Sequence, residues 1–267
     1  MLNFLFYAPV THQKKILLEF VKPMSSEWIL TKKIDAFDYV CTTKRFVLSV
    51  LLPKDEASLE QELKAKWKLF LEQEASYFTP KDYAHIDTLF REFPIDHIKV
   101  TKVNSPITEN TSTYNFSATN LEVLQALDRN DYDLEYALCL FFTFIYCMGG
   151  FSPQSALKIS QQLAMYKHFD DATRDEMNAQ IHAIIGENKE EINKRLRALF
   201  EELLIYRPEN SHPSVFSKWK LSYGKITIKD HEGLIPTFEH FKNQLLFSDA
   251  EVYMILSILT YFWGNYR

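Results

Sequence analysis

Glycine is scarce in this chain, with six in 267 residues. That is too few for an architecture built on tight turns, so helix should dominate. Cysteine is scarcer: Cys41, Cys139 and Cys147 form an odd, scattered set without Cys-x-x-Cys spacing. Neither a disulfide framework nor a zinc knuckle is indicated, and a reducing cytoplasm is the expected compartment. The most apolar runs, Tyr136–Met148 and Val252–Trp263, fall short of the roughly 20 residues a bilayer requires. They read as buried helices, and no membrane partner is expected. The start MLNFLFYAP has no basic stretch before its apolar residues and reaches Pro9 too early for a signal peptide. There is no long basic run, and the net charge is -5, which argues against a polyanion-binding surface and so against nucleic acid. Gly-x-Gly-x-x-Gly, Gly-x-x-x-x-Gly-Lys, His-Glu-x-x-His and Gly-x-Ser-x-Gly are all missing. The common cofactor and hydrolase readings therefore lose their support, and no cofactor is expected.

What the chain does have is apolar and aromatic mass. Hydrophobic residues make up 46% of it, with 21 Phe and 14 Tyr, so the cores should be cemented by rings. Asn3–Ala8 reads as a first strand ended by Pro9, after which Thr11 is placed to cap a helix carrying Ile16, Leu17, Phe20 and Val21 on one face. IDAFDYVCT and RFVLSVLLP read as a hairpin turning at Thr42–Lys44, and HIKVTKV as a further strand. Leu59, Leu63, Trp67, Phe70 and Leu71 mark a helical stripe, and Thr79-Pro80 the start of another helix. Asn104–Asn120, rich in Ser, Thr and Asn, reads as a long irregular connection.

Beyond it the pattern is helical. A helix over Leu134–Met148 is closed by Gly149-Gly150, read as a C-cap rather than a phosphate cradle. Others begin near Pro153 and after Asp170, and Lys189–Tyr206 has the charged-and-leucine pattern of a solvated helix. Lys218–Asp230 reads as a small hairpin. Ser248–Glu251 is a capping box opening the last helix. The fold expected is α+β: a small N-terminal mixed or antiparallel sheet flanked by helices, followed by a larger helical portion. The parts are residues 1–119 and 120–267, packed as one compact domain.

The chemistry-bearing residues are few. His231-Glu232 and Asp170-Asp171 are isolated pairs, short of the three or four converging ligands a metal needs, so no metal site is expected. Lys44-Arg45 stands before an apolar strand and has two readings: a cation pair reaching an anionic group, or a hairpin tip kept wet. Lys14-Lys15 and Lys64, Lys66 and Lys68 read as solvated helix faces. An edge of the N-terminal sheet, if open, can accept an extended peptide as an added strand. In FEHFKNQLLF, helical spacing puts Glu239, His240 and Asn243 on one polar stripe, with Phe238, Phe241, Leu245 and Leu246 on the buried side. Either His240 or Glu239 is then a candidate proton carrier. A surface histidine on an amphipathic helix is the commoner case.

The order of these segments resembles the C-terminal, elimination-type domain of class I lantibiotic dehydratases, a domain also found as stand-alone thiopeptide-type bacteriocin biosynthesis proteins. In that family a helix with His-Met-x-x-Asn-Arg, then Leu or Ile and Phe, precedes a Glu-containing helix rich in Tyr and Leu. HFKNQLLF followed by SDAEVYMILSILTYFWGNY has a similar plan. So do the first strand, ILLEFVKPM, and the strands IDAFDYV and RFVLSVLLP, which stand where the family has Phe-x-Arg-Tyr and His-Leu-Arg-x-Arg. With Asn243 in register with the family asparagine, Glu239 falls at the family histidine and Gln244 at its arginine, while His240 fits after a one-residue slip. The arginines that hold the glutamyl group have apolar residues and Ser49 in their place, and Arg45 is the nearest cation.

The resemblance implies maturation of a ribosomally made precursor peptide, by glutamate elimination from glutamylated Ser or Thr or by thiopeptide ring closure. A separate dehydratase or glutamylating subunit is an implied partner. It implies catalytic roles for His240 or Glu239 and substrate contacts for Arg45, Lys44 and Asn243. The missing arginines leave a noncatalytic peptide-binding partner as a second reading. An unrelated helical interaction module is a third.

Overall fold

Residues 1–53, 58–75, 92–103, 111–129, 134–205, 216 and 233–265 are described by a computed structural model. The fold is α+β, with a small antiparallel sheet near the N-terminus followed by helices. It divides into two units, Met1–Leu124 with Asn243–Leu246, and Gln125–Lys242 with Phe247–Arg267. The segments expected to start at Thr79-Pro80 and to form a hairpin over Lys218–Asp230 lie outside the described residues, as does His231-Glu232.

In the first unit, strands β1 (Leu2–Tyr7), β2 (Ala36–Cys41), β3 (Arg45–Leu51) and β4 (Ile98–Lys102) lie in the order β2-β3-β1-β4, antiparallel throughout. Side chains alternate across the pleat, and the alternation in sequence sets the register. Phe4 and Phe6 of β1, Phe37 and Tyr39 of β2, and Phe46, Leu48 and Val50 of β3 all point into the core. Against that face lie α1 (Val10–Ile16), a π-helical turn (Leu17–Val21), α2 (Lys22–Leu30) and α3 (Ser58–Gln73). Phe6 stacks on Phe46 at 4.5 Å and meets Trp67 edge-on at 5.1 Å. The π-helical turn ends just before Pro23, whose missing N–H interrupts the α ladder at that point.

Thr11 does not cap α1. The helix begins at Val10 with Pro9 as its N-cap and no side-chain cap, because Pro9 already holds an extended backbone suited to helix entry. The entry is fixed by Gln13, which is fully buried and donates from Nε2 to the carbonyls of Ala8 and Thr42, each at 2.7 Å. Among the lysines read as solvated faces, Lys15 pairs with Glu19 one turn on and with the distant Glu74, Lys66 with Glu62 one turn back and with Glu27 of α2, and Lys64 and Lys68 with Glu60 and Glu72 of their own helix.

Half of the stretch expected to be irregular is helical. The helix α4 runs from Thr111 to Arg129, through residues of poor helix propensity. Ser117 and Asn120 on it are buried and hydrogen-bonded to distant residues, so tertiary partners override the local preference.

The second unit is built on α5 (Leu134–Met148), nearly all of it buried. Phe141 packs edge-on against Phe241 and Phe247, Phe144 stacks on Phe241 at 4.4 Å, and Phe142 stacks on Trp263 at 4.6 Å. Each such ring contributes about 1.5–3 kcal/mol of burial. Gly150 closes α5 at φ +63, the left-handed backbone a C-cap glycine supplies. The following α6 (Pro153–Tyr166) opens with Ser152 as N-cap.

Asp170 caps α7 (Asp171–Ile205), accepting from the Thr173 N–H at 2.8 Å. The pieces expected separately form one helix of 35 residues, about 50 Å long, continuous through Gly186. A Cβ at Gly186 would meet nothing within 4 Å. Gly186→Ala should therefore raise stability by about 0.5–1 kcal/mol, read as a higher denaturant midpoint.

The unit is completed by α8 (Leu234–Gln244) and α9 (Asp249–Asn265), with the last turn of α8 grouped with the first unit. The capping box forms as expected: Ser248 N–H donates to Glu251 Oε2 at 2.7 Å, and Glu251 N–H to Ser248 Oγ at 3.3 Å. Among the described residues no single helix is long and apolar enough to cross a membrane.

Candidate functional site

The apolar side of α8 is set as its spacing dictates, with Leu234, Phe238 and Phe241 buried. Glu239, His240 and Asn243 are half-buried on the same helix. The polar side is not a simple solvated face, because Lys242 and Gln244 are also buried.

Lys242 is part of a charge ring within the second unit. Its Nζ is 3.2 Å from Glu239 Oε2 and in direct contact with Asp249 Oδ1. Lys167, just past the end of α6, closes the ring with Nζ 3.5 Å from Glu239 Oε1 and 3.5 Å from Asp249 Oδ2. Two ammonium groups and two carboxylates thus alternate around a cavity of about 10 Å³ lined also by Leu163, Ala164 and Val252, room for one water. Burial works against the charge on Lys167, but Glu239 and Asp249 outweigh it and hold its ammonium above the usual lysine range. The carboxylate proposed from sequence as a proton carrier is therefore a member of an ion ring. The cavity it lines in this unit is far below substrate size.

Gln244 does the corresponding work in the first unit. Fully buried, it shares the two N–H groups of Nε2 among Asp38 Oδ1 at 2.8 Å, the Tyr39 carbonyl at 2.9 Å and Ser117 Oγ at 2.9 Å. Its Oε1 accepts from Asn120 Nδ2, and its own carbonyl accepts from the Tyr39 hydroxyl at 3.1 Å. Asp38 Oδ1 also accepts from Ser117 Oγ at 2.6 Å and from the Tyr39 N–H at 2.8 Å. Tyr39 sits on β2, an edge strand, so its N–H and C=O are both satisfied by side chains. The network occupies that edge at Tyr39.

Lys44 and Arg45 are exposed at the β2–β3 turn, where the Arg45 carbonyl accepts from the Thr42 N–H and hydroxyl at 2.8 and 2.9 Å. The three cysteines are buried, and burial pushes the Cys41 thiol well up from its usual value. Among the described residues no His, Cys, Asp and Glu cluster could hold a metal.

No known family profile matches the chain, and no curated protein matches its sequence. Solved structures do match. A pyridine synthase from thiomuracin biosynthesis, TbtD, superposes with a TM-score of 0.68 over 99% of this chain and 98% of its own, at 12% identity. The chain has the fold of that enzyme. TsrL gives a TM-score of 0.62 at 13% identity, over 99% of this chain and 95% of its own. The tRNA-dependent lantibiotic dehydratase MibB from Microbispora sp. 107891 gives 0.48 at 13% identity, over 97% of this chain and 27% of its own.

Within this fold the structure brings Glu239, His240 and Asn243 onto one helix and leaves Lys44 and Arg45 at the tip of a hairpin. At Gln244, where the resemblance puts an arginine, a neutral amide is locked to Asp38. Sequence reasoning passed over Lys242, Lys167, Asp249, Asp38 and Ser117. The one signal for the ring was the i, i+3 spacing of Glu239 and Lys242.

Proposed function

We propose that this chain takes part in maturing a ribosomally made peptide of the lanthipeptide or thiopeptide type, as a peptide-binding protein that grips a leader-bearing precursor. The reading rests on the end-to-end correspondence of its fold with the thiomuracin pyridine synthase. Binding is preferred to catalysis because Glu239 is engaged by Lys242 and Lys167. In addition, Gln244 and Ser49 are neutral where the resembled family has cations. A partner subunit supplies the glutamylation or elimination step. In this reading Lys44, Arg45 and Asn243 contact the peptide.

The experiment is titration of a leader-bearing precursor peptide of the lanthipeptide or thiopeptide type, followed by mass spectrometry of the incubated peptide. Micromolar binding with no mass change is the expected result. Absence of binding overturns it.

A second reading, an elimination or ring-closing lyase, is favoured by His240, half-buried next to Glu239 and one turn from Asn243. It calls for loss of glutamate or ring closure in the same assay. In that case His240→Ala should lower the rate by about 10²–10⁴-fold, and Glu239→Gln should act mainly on stability. Full activity in both variants removes this helix from the chemistry.

A further inference from the structure

The second unit carries a larger hollow than the one inside the ion ring. It is an open groove of about 460 Å³ along α6 and the start of α8, lined among the described residues by Lys158, Gln161, Gln162, Met165, Tyr166 and Ile235. That volume lies within the range of about 300–1,000 Å³ usual for ligand sites. Helical spacing builds it. Ala156, Ile159 and Leu163 of α6 turn into the core, which leaves Lys158, Gln161, Gln162, Met165 and Tyr166 as a stripe at i, i+3, i+4, i+7 and i+8 on another side. Ile235 of α8 adds an apolar group from the second helix.

The chemistry changes along the stripe. The exposed Lys158 ammonium stands at one end and two primary amides follow, while the Met165 thioether, the Tyr166 ring and Ile235 make the other end apolar. No acidic residue is among these six, and among the described residues neither the ammonium nor either amide has a hydrogen-bond or ion-pair partner. Lys167, one residue past Tyr166, differs in being engaged by Glu239 and Asp249. Met165 is 73% exposed, and a flexible thioether suits an adaptable binding surface.

We propose that this groove takes an extended peptide segment carrying a carboxylate and an apolar side chain about three residues apart. Lys158 and Met165 are separated by two turns of α6, about 10 Å along its axis, and an extended chain rises about 3.3 Å per residue, which sets the spacing. Lys158 faces the carboxylate, and Met165, Tyr166 and Ile235 take the apolar side chain. Primary amides both donate and accept, so Gln161 and Gln162 match the main chain between these anchors. This deepens the peptide-binding reading above and rests on it, the segment being part of the precursor.

Two fluorescein-labelled probes test it by anisotropy: a leader-bearing precursor peptide of the lanthipeptide or thiopeptide type, and the synthetic peptide Thr-Thr-Leu-Thr-Thr-Glu-Thr-Thr, which has the proposed spacing. Lys158 and Met165 are exposed, so their variants should fold, and circular dichroism checks it. Met165→Gln should weaken binding of both probes roughly five- to ten-fold. Lys158→Glu should weaken it roughly three- to five-fold at low salt, with the difference shrinking as salt rises. Replacing the glutamate of the synthetic probe by glutamine should remove the effect of Lys158→Glu and keep that of Met165→Gln. Independently of any variant, either probe should slow the oxidation of Met165 by hydrogen peroxide several-fold. Unchanged affinity in both variants together with an unprotected Met165 overturns the groove, while precursor binding that survives keeps the broader reading. Groove-dependent binding of the synthetic peptide without the precursor does the reverse. Self-association that Met165→Gln abolishes, with neither probe bound, assigns the groove to a second copy of the chain and overturns the proposal.

Discussion

Gln244→Leu should lower the stability of the chain by about 3 kcal/mol and its melting temperature by roughly 6–12 °C. The substitution preserves bulk and removes the polar head, so the loss measures hydrogen bonding rather than packing. It leaves the Tyr39 carbonyl, the Asn120 amide and one side of the Asp38 carboxylate without the partner they now share, and unsatisfied buried groups are the expensive outcome. Gln244→Glu should be worse, since it sets a second carboxylate against Asp38. Asp38→Asn in that background should recover part of the loss, because the like-charge contact is gone. Urea unfolding followed by far-ultraviolet circular dichroism gives the numbers. A Gln244→Leu protein within about 0.5 kcal/mol of wild type would mean that the Tyr39 carbonyl and its neighbours are satisfied by something other than this amide.

The effect is large because Gln244 joins segments far apart in the chain, and that separation also explains what the sequence concealed. Strands β1 to β4 were legible because their alternation repeats every second residue and only one face is buried. The hairpin turn, the capping box at Ser248 and the glycine stop after Met148 were legible because each is a local rule satisfied by adjacent residues. Thr111–Asn120 was not, since its Ser, Thr and Asn content argues against helix. Its buried members find partners in Asp38 and Gln244 instead, 79 and 124 residues away. The unbroken passage of α7 through Gly186 was hidden for a related reason. One glycine costs about 1 kcal/mol in a helix, less than the packing of Met177, Ile181, Leu196 and Leu199 on either side of it.

The same division holds at the candidate site. Helical spacing put Glu239, His240 and Asn243 on one stripe, and the structure keeps them on one helix. Spacing alone could not reveal that the neighbouring Lys242 and Gln244 turn inward, because lysine and glutamine on a helix default to water. What draws them in is supplied elsewhere: Asp249 beyond the next turn, Lys167 from the end of α6, and Asp38 from the edge strand. The resemblance was useful in a complementary way. It directed attention to Gln244 as the position where a cation is replaced, and the structure supplies the hydrogen-bond network around a neutral amide that occupies it.

Lys242→Met should cost about 2 kcal/mol near neutral pH, below the 3–5 typical of a broken buried pair, because Asp249 is 43% exposed and solvent screens it. The pH dependence identifies the cause. Burial pushes the Asp249 carboxyl up, but the hydrogen bond and charge of Lys242, reinforced by Lys167, outweigh it and hold the group below its ordinary value. A depressed folded-state pKa stabilises fully above the unfolded value, about 4 for aspartate, and that stabilisation fades as pH falls through the lower folded value. The wild-type advantage over Lys242→Met should therefore be greatest above about pH 5 and shrink steadily on acidification below about pH 4. Adding Glu239→Gln to Lys242→Met should restore part of the loss at neutral pH, since it leaves one carboxylate rather than two facing the vacated position. A stability difference that stayed flat across that range would assign the loss to the packing of the lysine stem, and the ion ring would no longer account for the burial of Lys242.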